Sequence, residues 1–197
     1  MKKIILDLCG GTGSWSKPYA ENGYEVINVT LPDYDVRTYQ PPKNVYGILA
    51  APPCTMFSLA RSQPKIPRDF REGMEIVIAC LNIIWGCRYE PLYRKDNCLH
   101  FWCLENPTGF LRQFLGKPAL TFHPCDYGDA YTKSTDLWGY FNIPNKKPIE
   151  LDEETKARCK INARKLPSIS EITGSKQKDR RAVTPSGFAN AFYNSNK

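Results

Sequence analysis

Two short segments of this 197-residue chain carry side chains suited to covalent chemistry. In the first, Cys54 follows an apolar run at residues 45–49 and the pair Pro52-Pro53. The prolines fix φ and remove two backbone donors, so a buried strand ends there and aims the thiol out of the sheet edge, where open α/β sheets bind ligands. In the second, Glu105 follows another apolar run, at residues 98–103. A nucleophile and a carboxylate at two strand ends predict an active site.

A thiol and a carboxyl group together suit chemistry on a pyrimidine ring. Carbon 5 of cytosine is too weakly nucleophilic to attack a methyl donor, but thiolate addition at carbon 6 makes the ring an enamine that is nucleophilic at carbon 5. The addition puts electron density on ring nitrogen 3 and the exocyclic amine, which a carboxyl group must hydrogen-bond or protonate. We expect the site to lower the pKa of Cys54 or to couple its ionisation to substrate. We expect burial to raise the pKa of Glu105 and make it the acid.

A glycine-rich segment, Gly10-Gly11-Thr12-Gly13, separates the first predicted strand from the first predicted helix. Glycines there permit positive φ and bring a ligand close to the backbone at the positive end of a helix. Residues 11–16 read G-x-G-x-x-S, which nearly matches the dinucleotide fingerprint G-x-G-x-x-G, so a nucleotide-dependent oxidoreductase is an alternative. S-adenosylmethionine fits better, because Asp7 can order the loop or meet an ammonium group. Asp35, after the second predicted strand, can accept a hydrogen bond from an adenine amino group.

The order of predicted elements favours a doubly wound α/β fold. Apolar runs predict strands at residues 3–8, 24–30, 45–50, 98–104, 119–122 and 136–141. Helical periodicity and end signals predict helices at residues 14–22, 71–88 and 109–115, the first with Ser14 as N-cap and Gly23 as its stop. Alternating strands and helices predict a mostly parallel sheet with helices on both faces.

The charge balance favours a polyanionic partner. The formal net charge is +7 and the isoelectric point is near 9.0, with much of the excess at residues 156–181. A solvated helix and loop is the alternative interpretation of that segment. No leader peptide and no apolar run of membrane-spanning length are visible, so we expect a cytoplasmic protein with reduced thiols. Because no C-x-x-C pair occurs among the eight cysteines, we expect no metal.

At these residues the chain resembles the DNA (cytosine-5) methyltransferases, in the compact form found in phages and prophages. The family's first motif, D-L-F-x-G-x-G-G, resembles residues 7–14, and its catalytic P-C-x-x-F-S matches residues 53–58 at every fixed position. Its E-N-V motif is similar to Glu105-Asn106-Pro107. Its Q-x-R-x-R motif is echoed only around Lys133, which stands in for an arginine near the flipped base. Residues 181–185 resemble the segment that follows the family's recognition region.

The resemblance implies a Rossmann-like S-adenosylmethionine-dependent methyltransferase fold and methyl transfer to cytosine in DNA. It makes Cys54 the nucleophile, Glu105 the acid and Lys133 a further catalytic residue. The residues that it implies for the methyl donor are Asp7, Leu8, Gly10, Gly11, Gly13, Asp35 and Pro52. A base in duplex DNA must be extruded to reach Cys54. The residues that we expect to contact DNA are Ser58, Arg61, Lys65, Arg68, Arg71, Arg180 and Arg181.

The resemblance also divides the chain into three parts. Residues 1–141 form a catalytic domain, residues 142–181 a reduced basic region for target recognition and DNA contact, and residues 182–197 a terminal segment that returns to the catalytic domain. We expect a monomer that binds DNA, not a membrane, in a bacterial or phage-infected cell. Two alternatives stay open: an RNA cytosine-5 methyltransferase, and a non-catalytic DNA-binding module of the same fold.

Overall fold

The computed structural model describes residues 2–60, 67–89, 99–150, 166, 168 and 182–197. Among these residues, six strands form one sheet, in the order β2-β1-β3-β4-β6-β5. The strands are β1 (Ile4–Leu8), β2 (Glu25–Val29), β3 (Val45–Ala50), β4 (Phe101–Pro107), β5 (Leu120–Phe122) and β6 (Thr135–Tyr140). The pairs β1–β2, β1–β3 and β3–β4 are parallel, whereas β6 is antiparallel to both β4 and β5.

Helices cover both faces of this sheet. They are α1 (Lys17–Glu21), α2 (Phe70–Tyr89), α3 (Arg112–Leu115) and α4 (Ser186–Ser195), with a 3₁₀ helix at Pro124–Tyr127. The predicted α/β class, a mostly parallel sheet with helices on both faces, is confirmed, and the architecture is Rossmann-like. Within the described part of the chain, no helix is long and apolar enough to cross a membrane, and no three His, Cys, Asp or Glu side chains cluster as a metal site requires.

The period-two alternation of the strands divides the core into two layers. Leu6 and Leu8 of β1 belong to the layer that packs against α2. Ile5, between them in sequence, belongs to the opposite layer, which contains Tyr19 of α1 and Phe188 of α4. Because both faces are buried, β1 is apolar at every position except the buried Asp7 and shows no alternating pattern in sequence.

The first helix begins later than the sequence predicted. The expected helix at residues 14–22 is reduced to α1 at Lys17–Glu21, preceded by turns. Gly11 and Gly13 have φ values of +53° and +69°, which right-handed helix does not allow. Ser14 is not the N-cap: Ser16 occupies that position, and the Ser14 hydroxyl oxygen accepts the backbone N–H of Thr184 at 2.9 Å. Gly23 ends the helix as predicted, with φ +84°.

The fourth strand lies further along the chain than predicted. The expected strand at residues 98–104 is β4 at Phe101–Pro107, so Glu105 belongs to the strand and does not follow it. The parallel partner β3 ends at the pair Ala50–Leu104, but antiparallel β6 continues to pair with β4 as far as Pro107. The later strand therefore holds Glu105 in place. Of the expected recognition region, the structure describes only residues 142–150, 166 and 168, and the three-part division stays a prediction.

Candidate active site

The candidate site lies at the carboxyl edge of the sheet, where the strand order reverses. β1 has β2 on one side and β3 on the other, and open α/β sheets bind ligands at such a switch point. Two loops leave the sheet there. We call residues 9–13, after β1, the glycine loop, and residues 51–58, after β3, the cysteine loop. Glu105 lies beside them near the end of the neighbouring strand β4.

The glycine loop folds directly over a buried carboxylate. Cys9, Gly11 and Gly13 all have positive φ, and Asn28 donates from Nδ2 to the Gly11 carbonyl oxygen at 2.9 Å. A Cβ at Gly10 would lie 2.3 Å from Cγ of Asp7, so only glycine fits there. The loop can thus bring its backbone close to a ligand, as predicted from its glycines.

Asp7 lies beneath this loop with no exposed surface. Burial raises the pKa of Asp7 to about 6, although the hydrogen bond from Ser16 Oγ to Oδ2, at 2.6 Å, acts in the opposite direction. Its other oxygen, Oδ1, has no hydrogen-bond partner in the part of the chain that the structure describes. A buried carboxylate oxygen without a partner is costly, so this position favours a ligand that brings a donor or a positive charge.

The other residues expected at the methyl donor lie around the same edge. Both carboxylate oxygens of Asp35 accept hydrogen bonds from Arg37, which lower the pKa of Asp35 to about 2. A ligand amino group at Asp35 would therefore share the carboxylate with Arg37, which its remaining lone pairs allow. Leu8 is fully buried in the core, and its carbonyl oxygen accepts the backbone N–H of Ala51 at 2.9 Å. Pro52 is buried, and its carbonyl oxygen accepts a hydrogen bond from Asn106.

The cysteine loop forms a tight turn around Cys54. The carbonyl oxygen of Cys54 accepts the backbone N–H groups of Phe57 at 2.9 Å and Ser58 at 2.8 Å. Phe57 is fully buried, whereas Cys54 is partly exposed. The fixed phenylalanine of the sequence motif thus holds the loop in the core and leaves the thiol at the surface of the site.

Three contacts tie the cysteine loop to the segment that carries Glu105. They are Asn106 Nδ2 to the Pro52 carbonyl oxygen at 2.9 Å, the Phe110 N–H to the Phe57 carbonyl oxygen at 2.9 Å, and a β-bridge between Ser58 and Gly109. The last contact needs glycine, because a Cβ at Gly109 would lie 2.3 Å from the Phe57 oxygen. The two segments that carry Cys54 and Glu105 therefore form one connected unit.

Cys54, Glu105 and Lys133 lie within electrostatic reach of one another. Lys133 Nζ is 3.8 Å from Glu105 Oε1, and only 14% and 16% of the two side chains are exposed. Burial raises the pKa of Glu105, while Lys133 opposes the rise. Burial and then the negative charge of Glu105 raise the pKa of the Cys54 thiol, and Lys133 again opposes them. The direction at Glu105 is the expected one. Without substrate, the site does not lower the pKa of Cys54. Of the two expected ways to form the thiolate, coupling its ionisation to substrate binding is the one that stays.

A buried network beside the site was not predicted. Asp136 of β6 is fully buried and receives two hydrogen bonds from Arg112, each at 2.6 Å, and others from Thr108 and Thr121. Burial alone would raise the pKa of Asp136, but these hydrogen bonds lower it overall. The network joins α3, β5 and β6 and keeps a negative charge that raises the pKa of Glu105. A charged residue in a predicted strand, Asp136, was the one sign of this network in the sequence. Nothing in the sequence indicated that Arg112, Thr108 and Thr121 would be its partners.

The basic residues expected to contact DNA are only partly described. Arg61, Lys65, Arg180 and Arg181 lie outside the described residues. The Arg71 side chain on α2 is 92% exposed, 4.0 Å from Glu75. Arg68 instead faces the protein and donates to the backbone carbonyl oxygens of Met56 and Ser58.

Two solved structures superpose on part of this chain. One, described as a DNA modification methyltransferase encoded within a prophage (E. coli), has a TM-score of 0.49 and 14% identity, over 76% of this chain and 52% of that one. The other, the Entamoeba histolytica methyltransferase EhMeth, has a TM-score of 0.43 and 9% identity, over 78% of this chain and 57% of that one. The chain matches little more than half the length of either. No family model and no curated protein matches it.

Proposed function

We propose that this chain transfers a methyl group from S-adenosylmethionine to carbon 5 of an extruded cytosine in DNA. The observation that carries the proposal is the placement of Cys54 and Glu105 on adjoining segments at the carboxyl edge of β3 and β4. The segments are joined by hydrogen bonds, and Lys133 pairs with the carboxyl group. A nucleophile and an acid held in this way can engage two sides of one small ring.

The glycine loop supports the choice of methyl donor. Asp7 offers to a donor or a cation a buried oxygen that has no hydrogen-bond partner among the described residues, and the absence of a side chain at Gly10 keeps the loop backbone close to this carboxylate. Asp35 offers carboxylate oxygens that Arg37 keeps ionised. S-adenosylmethionine, when bound, supplies an electrophilic methyl group.

In the proposed reaction Cys54 gives its proton to solvent water and its sulfur forms a bond to carbon 6 of the base. The electrons of the ring's 5,6 double bond become available at carbon 5, while charge on nitrogen 3 is met by a proton or a hydrogen bond from Glu105. Carbon 5 then takes the methyl group with release of the neutral thioether S-adenosylhomocysteine, and loses its own proton to solvent water. The bond from sulfur to carbon 6 breaks, the double bond is restored and Cys54 is regenerated.

Lys133 gives Glu105 two accessible protonation states. Burial favours the neutral carboxyl group, whereas the lysine favours the carboxylate. A base that displaces water from this site increases the effect of burial, so we expect Glu105 to take up a proton as substrate binds. The same uptake removes a negative charge beside Cys54 and favours its thiolate, which couples ionisation of the nucleophile to substrate.

The substrate class rests on charge and on the motif resemblance. A net charge of +7 suits a polyanion, and Arg71 extends an exposed guanidinium from α2, the helix that follows the cysteine loop. Binding through such contacts weakens steeply with salt because phosphate neutralisation releases counterions. Reading a base in a duplex additionally requires its extrusion.

Transfer of label from S-adenosylmethionine to nucleic acid tests the proposal. Wild type, Cys54→Ala and Cys125→Ala are each incubated with cytosine-containing DNA and RNA duplexes, Cys125 being the matched control because it is another partly exposed free thiol. We expect 5-methylcytosine in DNA from wild type and from Cys125→Ala, and none from Cys54→Ala. Label on RNA alone would select an RNA enzyme, and salt-sensitive DNA binding without transfer would select a non-catalytic module.

A further inference from the structure

Arg68 joins the cysteine loop to the segment that follows β4. Its Nη1 donates to the Met56 carbonyl oxygen and its Nη2 to the Ser58 carbonyl oxygen, each at 2.9 Å. Its Cζ lies 5.0 Å from the ring centroid of Phe110, which follows Glu105 closely in the chain. One guanidinium therefore contacts both segments that carry the proposed chemistry.

A cluster of four phenylalanine rings lies at the same junction. Phe57 comes from the cysteine loop, Phe70 from the start of α2, and Phe110 and Phe114 from the segment around α3. The ring centroids are 6.2 Å apart for Phe57–Phe70, 6.0 Å for Phe57–Phe114, 5.7 Å for Phe70–Phe110 and 5.7 Å for Phe70–Phe114. Arg68 stacks on the outer ring of this cluster, so its position is fixed by packing as well as by hydrogen bonds.

The chemistry of the guanidinium suits this role. Its planar fork presents several N–H donors in fixed directions, so two of them can bridge two carbonyl oxygens while the face stacks on a ring. A lysine ammonium carries the same charge but has no such fork. The two carbonyl oxygens belong to residues two and four positions after Cys54, so losing the bridge frees the backbone that aims the thiol.

We infer that Arg68 is a positioning residue that clamps the cysteine loop against the segment that follows β4, and not the phosphate contact that the sequence suggested. The inference rests on the proposed function, because positioning Cys54 matters only if the thiol reacts with substrate. It predicts a specific pattern: the shape of the guanidinium is needed and its charge alone is not enough.

The test compares Arg68→Ala and Arg68→Lys with wild type in two assays. The first measures alkylation of Cys54 by iodoacetamide over a range of pH in the free protein, with the modified peptide quantified by mass spectrometry. We expect both variants to be alkylated severalfold faster, with the pH midpoint moving down toward that of an ordinary thiol as Cys54 gains exposure. The second assay measures methyl transfer, where we expect kcat to fall about tenfold to hundredfold, with KM for DNA and its salt dependence unchanged.

Arg88→Ala is the matched control. Arg88 makes the same kinds of contact, Nη1 to the Leu99 carbonyl oxygen at 2.9 Å and Cζ at 5.3 Å from the Tyr140 ring, but at the opposite end of α2. We expect it to lower thermal stability without changing alkylation of Cys54. Wild-type behaviour of Arg68→Lys in both assays would overturn the inference. So would a rise in KM for DNA, with the salt slope reduced by about one and kcat intact, since that marks a phosphate contact.

The two assays also separate this inference from the proposed function. Alkylation needs neither DNA nor S-adenosylmethionine, so it tests the clamp even in a chain that transfers no methyl group. If wild type transfers methyl groups but Cys54 is alkylated equally fast in wild type and in both Arg68 variants, the proposed function stands and the clamp is contradicted. Arg68→Lys retains most of the side-chain stem, which protects the test against misfolding of Arg68→Ala.

Discussion

The glycine loop and the cysteine loop leave the same edge of the sheet but are held by different kinds of contact. The glycine loop is held mainly by nearby sequence: Asn28 binds Gly11 across seventeen positions, and Ser16 binds Asp7, beneath the loop, across nine, although Cys9 also contacts the distant Cys80 of α2. The cysteine loop is fixed from far away, with Asn106 bound to Pro52 across 54 positions. Gly109 and Phe110, from beyond β4, also contact it, and Arg68 is a nearer partner, ten to twelve positions away.

This difference assigns separate tasks to the two loops. A loop shaped by its own glycines can hold a ligand whatever happens at β4, whereas a loop tied to β4 must move together with Glu105. We therefore expect changes in the glycine loop to alter donor affinity and changes around the cysteine loop to alter turnover. Four experiments can break or sharpen that separation.

The largest effect should come from Glu105→Gln. A positioned general acid contributes roughly 10²- to 10⁴-fold, so we expect kcat to fall by about that factor while KM for S-adenosylmethionine stays unchanged. Steady-state methyl transfer measures both constants. Glu21→Gln on α1, where 58% of the side chain is exposed, is the control and should behave as wild type. A parallel loss of donor affinity in Glu105→Gln would show that the two loops are not independent.

The next effect concerns stability and comes from Asp7. Its pKa is raised by burial from 3.8 to about 6 in the folded protein, so the folded state holds the proton more tightly than the unfolded state. Folding stability should therefore fall as pH rises from about 4 to about 6, by up to about 3 kcal/mol. Asn at this position cannot ionise and should lose this dependence.

Urea unfolding of wild type and Asp7→Asn at several pH values checks this expectation. Between about pH 4 and about pH 7 the unfolding free energy of wild type should fall relative to that of Asp7→Asn, and above about pH 7 the difference between the two should stay constant. A difference independent of pH would mean that folding leaves the pKa of Asp7 unchanged. Donor binding should weaken in the variant at neutral pH, since the charge that faces the ligand is gone.

Two glycine substitutions, one in each loop region, should have smaller effects, each on a different measurement. In Gly10→Ala the new Cβ meets Asp7 at 2.3 Å, and in Gly109→Ala it meets the Phe57 carbonyl oxygen at 2.3 Å. Overpacking of this kind costs about 1–3 kcal/mol. We expect Gly10→Ala to weaken S-adenosylmethionine binding, measured by calorimetry, without changing Cys54 alkylation. We expect Gly109→Ala to change Cys54 alkylation without weakening S-adenosylmethionine binding. If both variants change the two measurements in the same way, the division of tasks is contradicted.

The smallest effect is a shift in the titration of Cys54. Burial and the charge of Glu105 both raise the pKa of this thiol, so its alkylation should have a midpoint above that of a free cysteine. Glu105→Gln removes the negative charge and should lower the midpoint, whereas Lys133→Gln removes the opposing cation and should raise it. Mass spectrometry of the Cys54 peptide against pH measures both shifts, and equal midpoints in all three proteins would rule out the electrostatic coupling.

The sequence predicted those features that depend on local patterns. β3 at Val45–Ala50 matches the predicted strand at residues 45–50 at both ends, because a largely buried strand bounded by prolines leaves little ambiguity. The helix expected at 71–88 is α2 at Phe70–Tyr89. The glycine loop and the two strand-edge segments were likewise visible from residue types alone.

Features that depend on distant partners were predicted less well. β4 ends later than expected because β6 pairs with it, and a pairing between strands some thirty residues apart leaves no local pattern. Arg68 reads in sequence as one basic residue among several, and only the fold brings it to the carbonyl oxygens of the cysteine loop. The Arg112–Asp136 pair was missed for the same reason.

Covalent trapping tests the central claim most directly. DNA that carries 5-fluorocytosine has no proton to lose at carbon 5, so an enzyme that adds its thiol to carbon 6 should remain attached after methyl transfer. We expect a complex of protein and DNA that survives a denaturing gel, requires S-adenosylmethionine and maps to the Cys54 peptide. Methylation of ordinary cytosine without any such complex, or a complex that persists in Cys54→Ala, would contradict the account.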